Sequence, residues 1–412
     1  MGCGDVGGGT QDEINPDFPP ARIAAQLTAG NVHTCVLLSD GNVRCWGLGN
    51  TGRLGYGTTR SVGHYDTPGS AGDVDVGGAV TQVDAGGDHT CALIEDGSVR
   101  CWGSGTHGAL GYGSTDNIGD DEAPASAGSV DVGAPVKQIS AGTSHTCAVL
   151  ENGNVRCWGL GASGALGYGN TDNIGDDETP ASAGNVDVGA PVKQIAAGAG
   201  YTCALLEDDN VRCWGDATYG QLGYGNRNAV GDDETPASVG DIDIGASVSQ
   251  IAVGSGHTCA VLSTGDVRCW GHSGAGQLGR GNTLLVGDDE TPAEASNAEI
   301  GTTVTQIGAG SHHACGVSTD GGVHCWGGNF SGQLGYAGTE NIGDDEMPAA
   351  AGTVDVGAIV KQVTAGGGHT CALLDAGRVR CWGWGGALGY GNTDYIGDDE
   401  TPASAGNVPY GG

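Results

Sequence analysis

The sequence predicts an all-β fold: a seven-bladed β-propeller of four-stranded antiparallel blades, its ring closed by N- and C-terminal strands in one blade. Three observations predict it. Cys35, Cys91, Cys147, Cys203, Cys259, Cys315 and Cys371 recur every 56 residues, and Cys45, Cys101, Cys157, Cys213, Cys269, Cys325 and Cys381 each follow ten residues later. A fixed period of this size is the signature of a repeat architecture. Each repeat also holds four short apolar segments separated by turn residues, with no convincing helical stretch. Finally, the two ends complement each other: Ala21-Arg22-Ile23-Ala24 matches the start of a repeat and Asn407-Val408-Pro409-Tyr410 its last segment. Strand 407–410 is therefore expected beside strand 21–28. Radial closure protects the sheet edges, whereas an open solenoid would carry atypical capping repeats, and none stands out.

The elements follow in order along one repeat. Pro191-Val192-Lys193-Gln194-Ile195 reads as a first strand, and His145-Thr146-Cys147-Ala148-Val149-Leu150 as a second. Glu151-Asn152-Gly153-Asn154 turns the chain, since Asn-Gly favours the hairpin turn; Asp40-Gly41 and Asp96-Gly97 do the same in blades one and two. Val155-Arg156-Cys157-Trp158-Gly159 returns. Residues 160–184 form a long segment without clear periodicity. Asn185-Val186-Asp187-Val188 alternates polar and apolar residues and reads as a fourth strand.

Composition narrows the function. The 412 residues would suggest two or three domains, but the repeat assigns residues 21–412 to one propeller, preceded by a flexible segment 1–20. The 83 glycines fall at fixed places in the repeat and read as turns. Fifteen Lys and Arg against 49 Asp and Glu leave a net charge of −34, which opposes nucleic acid and anionic membrane as partners. No apolar run approaches the roughly 18 residues a membrane span needs. Met1-Gly2-Cys3-Gly4 resembles the start of a mature bacterial lipoprotein, with Cys3 as lipid attachment point; an ordinary N-terminal cysteine is the competing reading.

Each Cys-x9-Cys pair is symmetric about a hairpin turn, so its members face each other within disulfide reach. Seven disulfides are expected: 35–45, 91–101, 147–157, 203–213, 259–269, 315–325 and 371–381. Buried free thiols are the alternative. Such a framework belongs outside the reducing cytosol, in periplasm, on the cell surface or in the medium. A pair of cysteines is too few for a zinc site.

The repeat as a whole resembles a known family. Gly87-Asp88-His89-Thr90-Cys91-Ala92-Leu93, Arg100-Cys101-Trp102-Gly103 and Gly220-Gln221-Leu222-Gly223-Tyr224-Gly225 are similar to the regulator of chromosome condensation repeat, over residues 21–412. The resemblance implies a seven-bladed propeller with a binding role. Members of the family include a chromatin-bound guanine-nucleotide exchange factor, a plant UV-B photoreceptor and a secreted β-lactamase inhibitor. A shared scaffold does not choose among them. The acidic balance, the paired cysteines and the lack of a basic tail depart from the exchange factor. Trp46, Trp102, Trp158, Trp214, Trp270, Trp326 and Trp382 occur once per blade, as packing residues do, with Trp384 the only addition.

Candidate sites must come from departures between copies. The His before each first cysteine gives way to Tyr201 in blade four, so a seven-fold catalytic or metal role is excluded and a ring nitrogen satisfying a backbone group is expected. Gly47-x-Gly49-x-x-Gly52 and its copies match a dinucleotide fingerprint, but no helix follows. The acidic triplets, such as Asp176-Asp177-Glu178 and Asp232-Asp233-Glu234, offer hard oxygen ligands for calcium; solvated turn-capping loops are the competing reading, and no other cofactor is expected. The least regular loops contribute Arg60, His64, Tyr219, Arg227, Arg280 and Phe330 as candidate partner-binding residues, against ordinary loop variability. The expected function is non-catalytic binding of a protein or other macromolecule on a propeller face, outside the cytoplasm. A regulator of a small GTPase and a secreted enzyme inhibitor are the alternatives.

Overall fold

The computed structural model describes residues 22–411; Cys3 and the segment 1–20 lie outside them. Seven antiparallel sheets follow one another around an axis, and each has three strands, not four. The inner strands are Ala24–Ala29, Val80–Ala85, Val136–Ala141, Val192–Ala197, Val248–Val253, Val304–Ala309 and Val360–Ala365. The middle strands start at the repeated histidine, or at Tyr201, and the third strands end at the glycine after each tryptophan. Every residue of the middle strands is buried. Neighbouring blades cover both of their faces, which is why they read as continuous apolar runs rather than alternating ones.

The fourth segment is not a strand. Val74, Val130 and Val186 each make a single antiparallel bridge, to Val43, Val99 and Val155. Two residues later the chain leaves the ladder: the Val76, Val132 and Val188 N–H groups each donate to the carbonyl two residues back, at 3.0 Å. A bond over two residues is a γ-type turn, and it swings the backbone away before a second pair can form. Gly189-Ala190-Pro191 then leads into the next blade rather than joining two strands of one sheet.

Ring closure differs from expectation for the same reason. Val408 N–H donates to Val379 O at 2.9 Å, inside blade seven, and Tyr410 N–H closes the same short turn onto Val408 O at 2.9 Å. Segment 407–410 therefore adds no strand to blade one. It reaches across instead through Tyr410, whose hydroxyl accepts from Ala24 N–H at 3.0 Å and donates to Gly377 O, while Arg44 donates to its carbonyl. The long segment of each repeat also contains a one-turn helix, for example Pro180–Ala183, with proline in its first turn. Its four residues are too short to show a helical period.

Two polar rings hold the blades together. The amide of Gln26 donates to Val83 O at 3.2 Å and accepts from Val83 N–H at 3.1 Å. Gln82, Gln138, Gln194, Gln250 and Gln306 do the same to the next inner strand. Gln362 closes the circle on Leu27, at 2.8 and 3.0 Å. The first and last blades are thus joined as every other pair is. Each bond nets about 1 kcal/mol, and each also satisfies an inner-strand backbone group that no further strand covers.

The second ring is built from the repeated histidines. His33, His89, His145 and His313 place Nε2 2.8 Å from Thr90, Thr146, Thr202 and Thr370 Oγ1 in the following blade, and His369 reaches Thr34 at 2.9 Å. The partner is a threonine hydroxyl, not the expected backbone group. Tyr201 replaces the imidazole by donating to His257 O at 2.6 Å. The ring is open at His257, whose two ring nitrogens are buried without partners, because Ala314 stands where the other blades have threonine. Ala314→Thr is expected to raise stability by about 1 kcal/mol, read as a higher urea midpoint with an unchanged slope. A lower midpoint would show that the methyl does not fit and that His257 is better left alone.

The seven repeated tryptophans are fully buried, at 0 % exposure, and each is packed by the preceding blade. Gly111 (φ +81°) lies so close to Trp158 that a Cβ there would come 2.8 Å from its Nε1. The seven cysteine pairs are disulfides, directly opposed in the hairpin register.

Candidate functional site

At one end of every blade the middle strand begins and the third strand finishes, and a backbone hydrogen bond ties the two flanking residues. Leu48, Ser104, Leu160, Asp216, His272, Gly328 and Trp384 donate in turn to Val32, Asp88, Ser144, Gly200, Gly256, His312 and Gly368, at 2.7–3.0 Å. These two columns lie side by side at the same end of the ring. They are among the least constant in the repeat, so identical scaffolding presents different side chains in each blade.

Blades four to seven fill this end with aromatic rings and imidazoles. Tyr219 meets His272 edge-on, with ring centroids 4.7 Å apart. Gln277 donates to His272 Nδ1 at 3.1 Å, which leaves Nε2 to carry the proton. Burial first, then the nearby His312, lowers the His272 pKa, so the ring is neutral at neutral pH. Phe330 is 68 % exposed and folds over Gly328: a Cβ on that glycine would lie 3.0 Å from the phenyl ring and 3.4 Å from His312 Cβ. Trp384 lies over Gly386 in the same manner. Blades one to three differ, with aliphatic Val32, Leu48 and Leu160, and with an Arg53–Asp88 ion pair at 2.8 Å. In the two columns of blades four to seven the only carboxylate is Asp216, and Thr218 and Gln221 donate to it. This arc carries one carboxylate in its two columns, in a chain of net charge −34.

The six candidate binding residues separate. Tyr219 and Phe330 belong to the arc. Arg60 pairs with Asp66 at 2.9 Å and Arg227 with Asp288 of the next blade at 2.6 Å, so both charges serve the acidic loops. His64 Nε2 is 2.9 Å from Gly386 O, a contact that joins blades one and seven. Arg280 occupies the column held by Tyr56, Tyr112, Tyr168, Tyr224, Tyr336 and Tyr390 in the other blades. Those hydroxyls bond to the backbone of the second cysteine of each pair, and burial pushes them up to about 12. Arg280 instead donates to Ser296 Oγ at 3.3 Å, as a substituted packing residue. Sequence reasoning missed His272, His312 and Trp384 as members of one patch. The signal was present in the two variable columns, but their adjacency depends on the hairpin register.

The acidic triplets bind their own loops. Gly119 N–H donates to Glu122 Oε1 at 3.3 Å, and Asn173 and Asn341 donate to Asp176 and Asp344, each at 3.3 Å. In Asp176-Asp177-Glu178 and Asp232-Asp233-Glu234 the carboxylate oxygens gather within 4.8 Å. Burial and then the adjacent Asp399 raise Glu400 to about 7, and the glutamates at 122, 178, 234, 290 and 346 shift the same way.

Comparison with known proteins agrees with this architecture. The model of the RCC1-like domain matches residues 120–409, and that of the regulator of chromosome condensation (RCC1) repeat matches residues 24–53 and 80–109. This chain belongs to the RCC1 repeat family. Among relatives, the ultraviolet-B receptor UVR8 of Arabidopsis thaliana is 33% identical over 93% of this chain and 81% of its own length. The human E3 ubiquitin-protein ligase HERC2 is 30% identical over 90% of this chain, which spans only 7% of that ligase. Yeast RCC1 (Prp20) bound to Kap60 superposes with a TM-score of 0.68 at 20% identity, covering 97% of this chain and 89% of that one. A second structure of Prp20p from Saccharomyces cerevisiae gives 0.67 at 23%, covering 92% and 87%. At these identities the structures establish the shared RCC1 propeller fold. Cysteine pairs, Gln ring and aromatic arc are properties of this chain's own residues.

Proposed function

We propose that this RCC1-repeat chain is a non-catalytic binding propeller of the extracytoplasmic space. It takes a protein partner on the ring end that carries Tyr219, His272, His312, Phe330 and Trp384. The observation that carries the reading is this aromatic arc, with a single carboxylate in its two columns, on a strongly acidic molecule. Aromatic side chains dominate the energetic centres of protein interfaces, and charged ones are depleted there. The partner-bound yeast RCC1 structure supports a protein ligand for this fold. The seven disulfides support a location outside the reducing cytosol. The acidic triplets hold their own loops, and the proposed function assigns them no metal.

A photo-crosslinking side chain placed at Phe330, and at Asn152 on the opposite end as a control, tests the face. Position 330 is expected to give one discrete adduct, competed by unmodified protein, and position 152 none. Equal adducts from both positions would overturn the assignment. Alkylation of the denatured, unreduced protein from its native source tests the location. Labelling of at most one of the fifteen cysteines is expected. Labelling of all fifteen would mean a reduced cytosolic protein and would favour the regulator of a small GTPase.

A further inference from the structure

The ring encloses an axial channel of about 310 Å³, lined by the inner strands of all seven blades. Its two ends differ. At the aromatic end the strands converge on a tight backbone ring, where Asn31 N–H donates to Gly86 O and Gly367 N–H to Gly30 O, each at 3.2 Å. At the hairpin-turn end the seven glutamine side chains bond to the backbone of the neighbouring strands and lie along the wall.

Between these ends runs a ring of seven side chains, one per blade: Thr28, Asp84, Ser140, Ala196, Ala252, Gly308 and Thr364. It is divided in two. Blades seven, one, two and three give an arc of three hydroxyls and one carboxylate, while blades four, five and six give two methyls and a glycine. Asp84 Oδ1 accepts from Thr28 Oγ1 at 2.9 Å, and Oδ2 accepts from Ala141 N–H at 2.8 Å. In its neighbours the hydroxyls already do the structural work: Thr28, Ser140 and Thr364 accept the Ala85, Ala197 and Ala29 N–H groups at 3.0–3.1 Å. A threonine would therefore serve the ring at position 84, and the carboxylate brings a charge that the fold does not need. No lysine or arginine lines the channel.

We infer that the axial channel is a binding site for a short primary alkylammonium ion, its head group on Asp84 and its stem against Ala252 and Gly308. An ammonium has three donors and no acceptor, which suits one carboxylate flanked by hydroxyl oxygens. A divalent cation asks for six or more oxygens and usually several carboxylates, and the apolar half of the ring offers none from its side chains. Burial raises Asp84 to about 6 against the hydrogen bonds it accepts from Ala141, Thr28, Ala85 and Ser140, so the group is ionised at neutral pH, and no cationic side chain of the channel pairs with it. This inference is independent of the protein-binding face, which is built from other residues at one end of the ring.

The test is saturation-transfer NMR on the full chain at pH 7.5 with propylammonium, and with 1-propanol as the uncharged stem. Saturable propylammonium binding in the millimolar range is expected, with no comparable signal from 1-propanol. Asp84→Thr keeps the ring's own chemistry and is expected to weaken binding at least tenfold. Ala252→Val leaves the carboxylate in place, narrows the apolar half and is also expected to weaken it. Equal binding to wild type and Asp84→Thr would place the ion on surface carboxylates and overturn the site, as would the absence of saturable binding to the wild type.

Discussion

Acid is expected to unfold this protein between about pH 4 and 3. The cause is the histidine ring. Burial is the leading cause in every case: it depresses His89, His257 and His313 to about 3 and His145 and His369 to about 4, and moves His33 the same way. A base whose folded pKa lies below its unfolded value of about 6.5 is neutral in the fold and charged in the unfolded chain over the interval between them. The unfolded state binds more protons there, so stability is complete above pH 6.5 and is lost as pH falls towards the folded values. Each histidine contributes a slope of about 1.4 kcal/mol per pH unit, and six acting together approach roughly 8. Total stability of a folded domain is usually about 5–15 kcal/mol, so where nothing offsets the histidine loss, one to two pH units suffice. Asp84 at about 6 and Glu400 at about 7 act in the opposite sense, as do the other triplet glutamates. Their gain ends near pH 4, where unfolded carboxyls also take up protons, while the histidine loss continues to pH 3. Urea titrations from pH 7 down to pH 3, followed by tryptophan fluorescence, measure the slope. His145→Gln retains a donor for Thr202 and is expected to reduce it by about 1.4 kcal/mol per pH unit. Equal midpoints at pH 4 and pH 3 would show that the ring accepts protons without opening.

These histidines also show what the sequence made legible. Their replacement by Tyr201 in blade four excluded a ligand role, because a phenol cannot stand in for an imidazole there, and the structure places them all between blades. Their partner was out of reach, since it lies 57 residues ahead in the next repeat and depends on how far apart two blades stand. The same holds for Gln26 and its six copies, which read only as a polar residue recurring in a strand. Cys-x9-Cys around Asn-Gly was legible because hairpin register is local. The fourth segment was misread because Asn-Val-Asp-Val alternates like a strand, whereas the turn from Val186 to Val188 is a backbone event that this alternation does not reveal. Arg280 was misread in another way. Set against the six tyrosines of its column it is a packing substitution, yet set against the acidic loops it looked like a free charge. Tyr219 and Phe330 were singled out as departures between copies, but the patch they share with His272, His312 and Trp384 exists only once the strands are paired.

Reduction is expected to abolish the fold altogether, and slowly. Each disulfide spans ten residues of sequence, and in the chain-entropy model a loop of that length stabilises by about 2–3 kcal/mol. Seven such loops together reach roughly 15–20 kcal/mol before any loss to residual structure in the unfolded chain, as much as or more than a domain's usual stability. The rings of glutamine and histidine cannot compensate, because they join blades and presuppose hairpins that are already formed. Access sets the rate. All fourteen paired cysteines are at most 1 % exposed, so a reductant reaches a bridge only after a blade has opened, and reduction follows unfolding rather than causing it. Incubation at pH 7 in excess phosphine without denaturant is expected to leave the seven bridges intact by mass for hours. The same reductant in urea should release fourteen thiols, and removal of the urea should then give no recovery of the native fluorescence unless oxidant is supplied. The single pair Cys147→Ala with Cys157→Ala is expected to cost about 2–3 kcal/mol and still fold, since six hairpins and both rings remain. A fully reduced chain that regained native fluorescence and resisted urea as the oxidised one does would assign the stability to the blade-to-blade contacts alone, and would remove the need for an oxidising compartment.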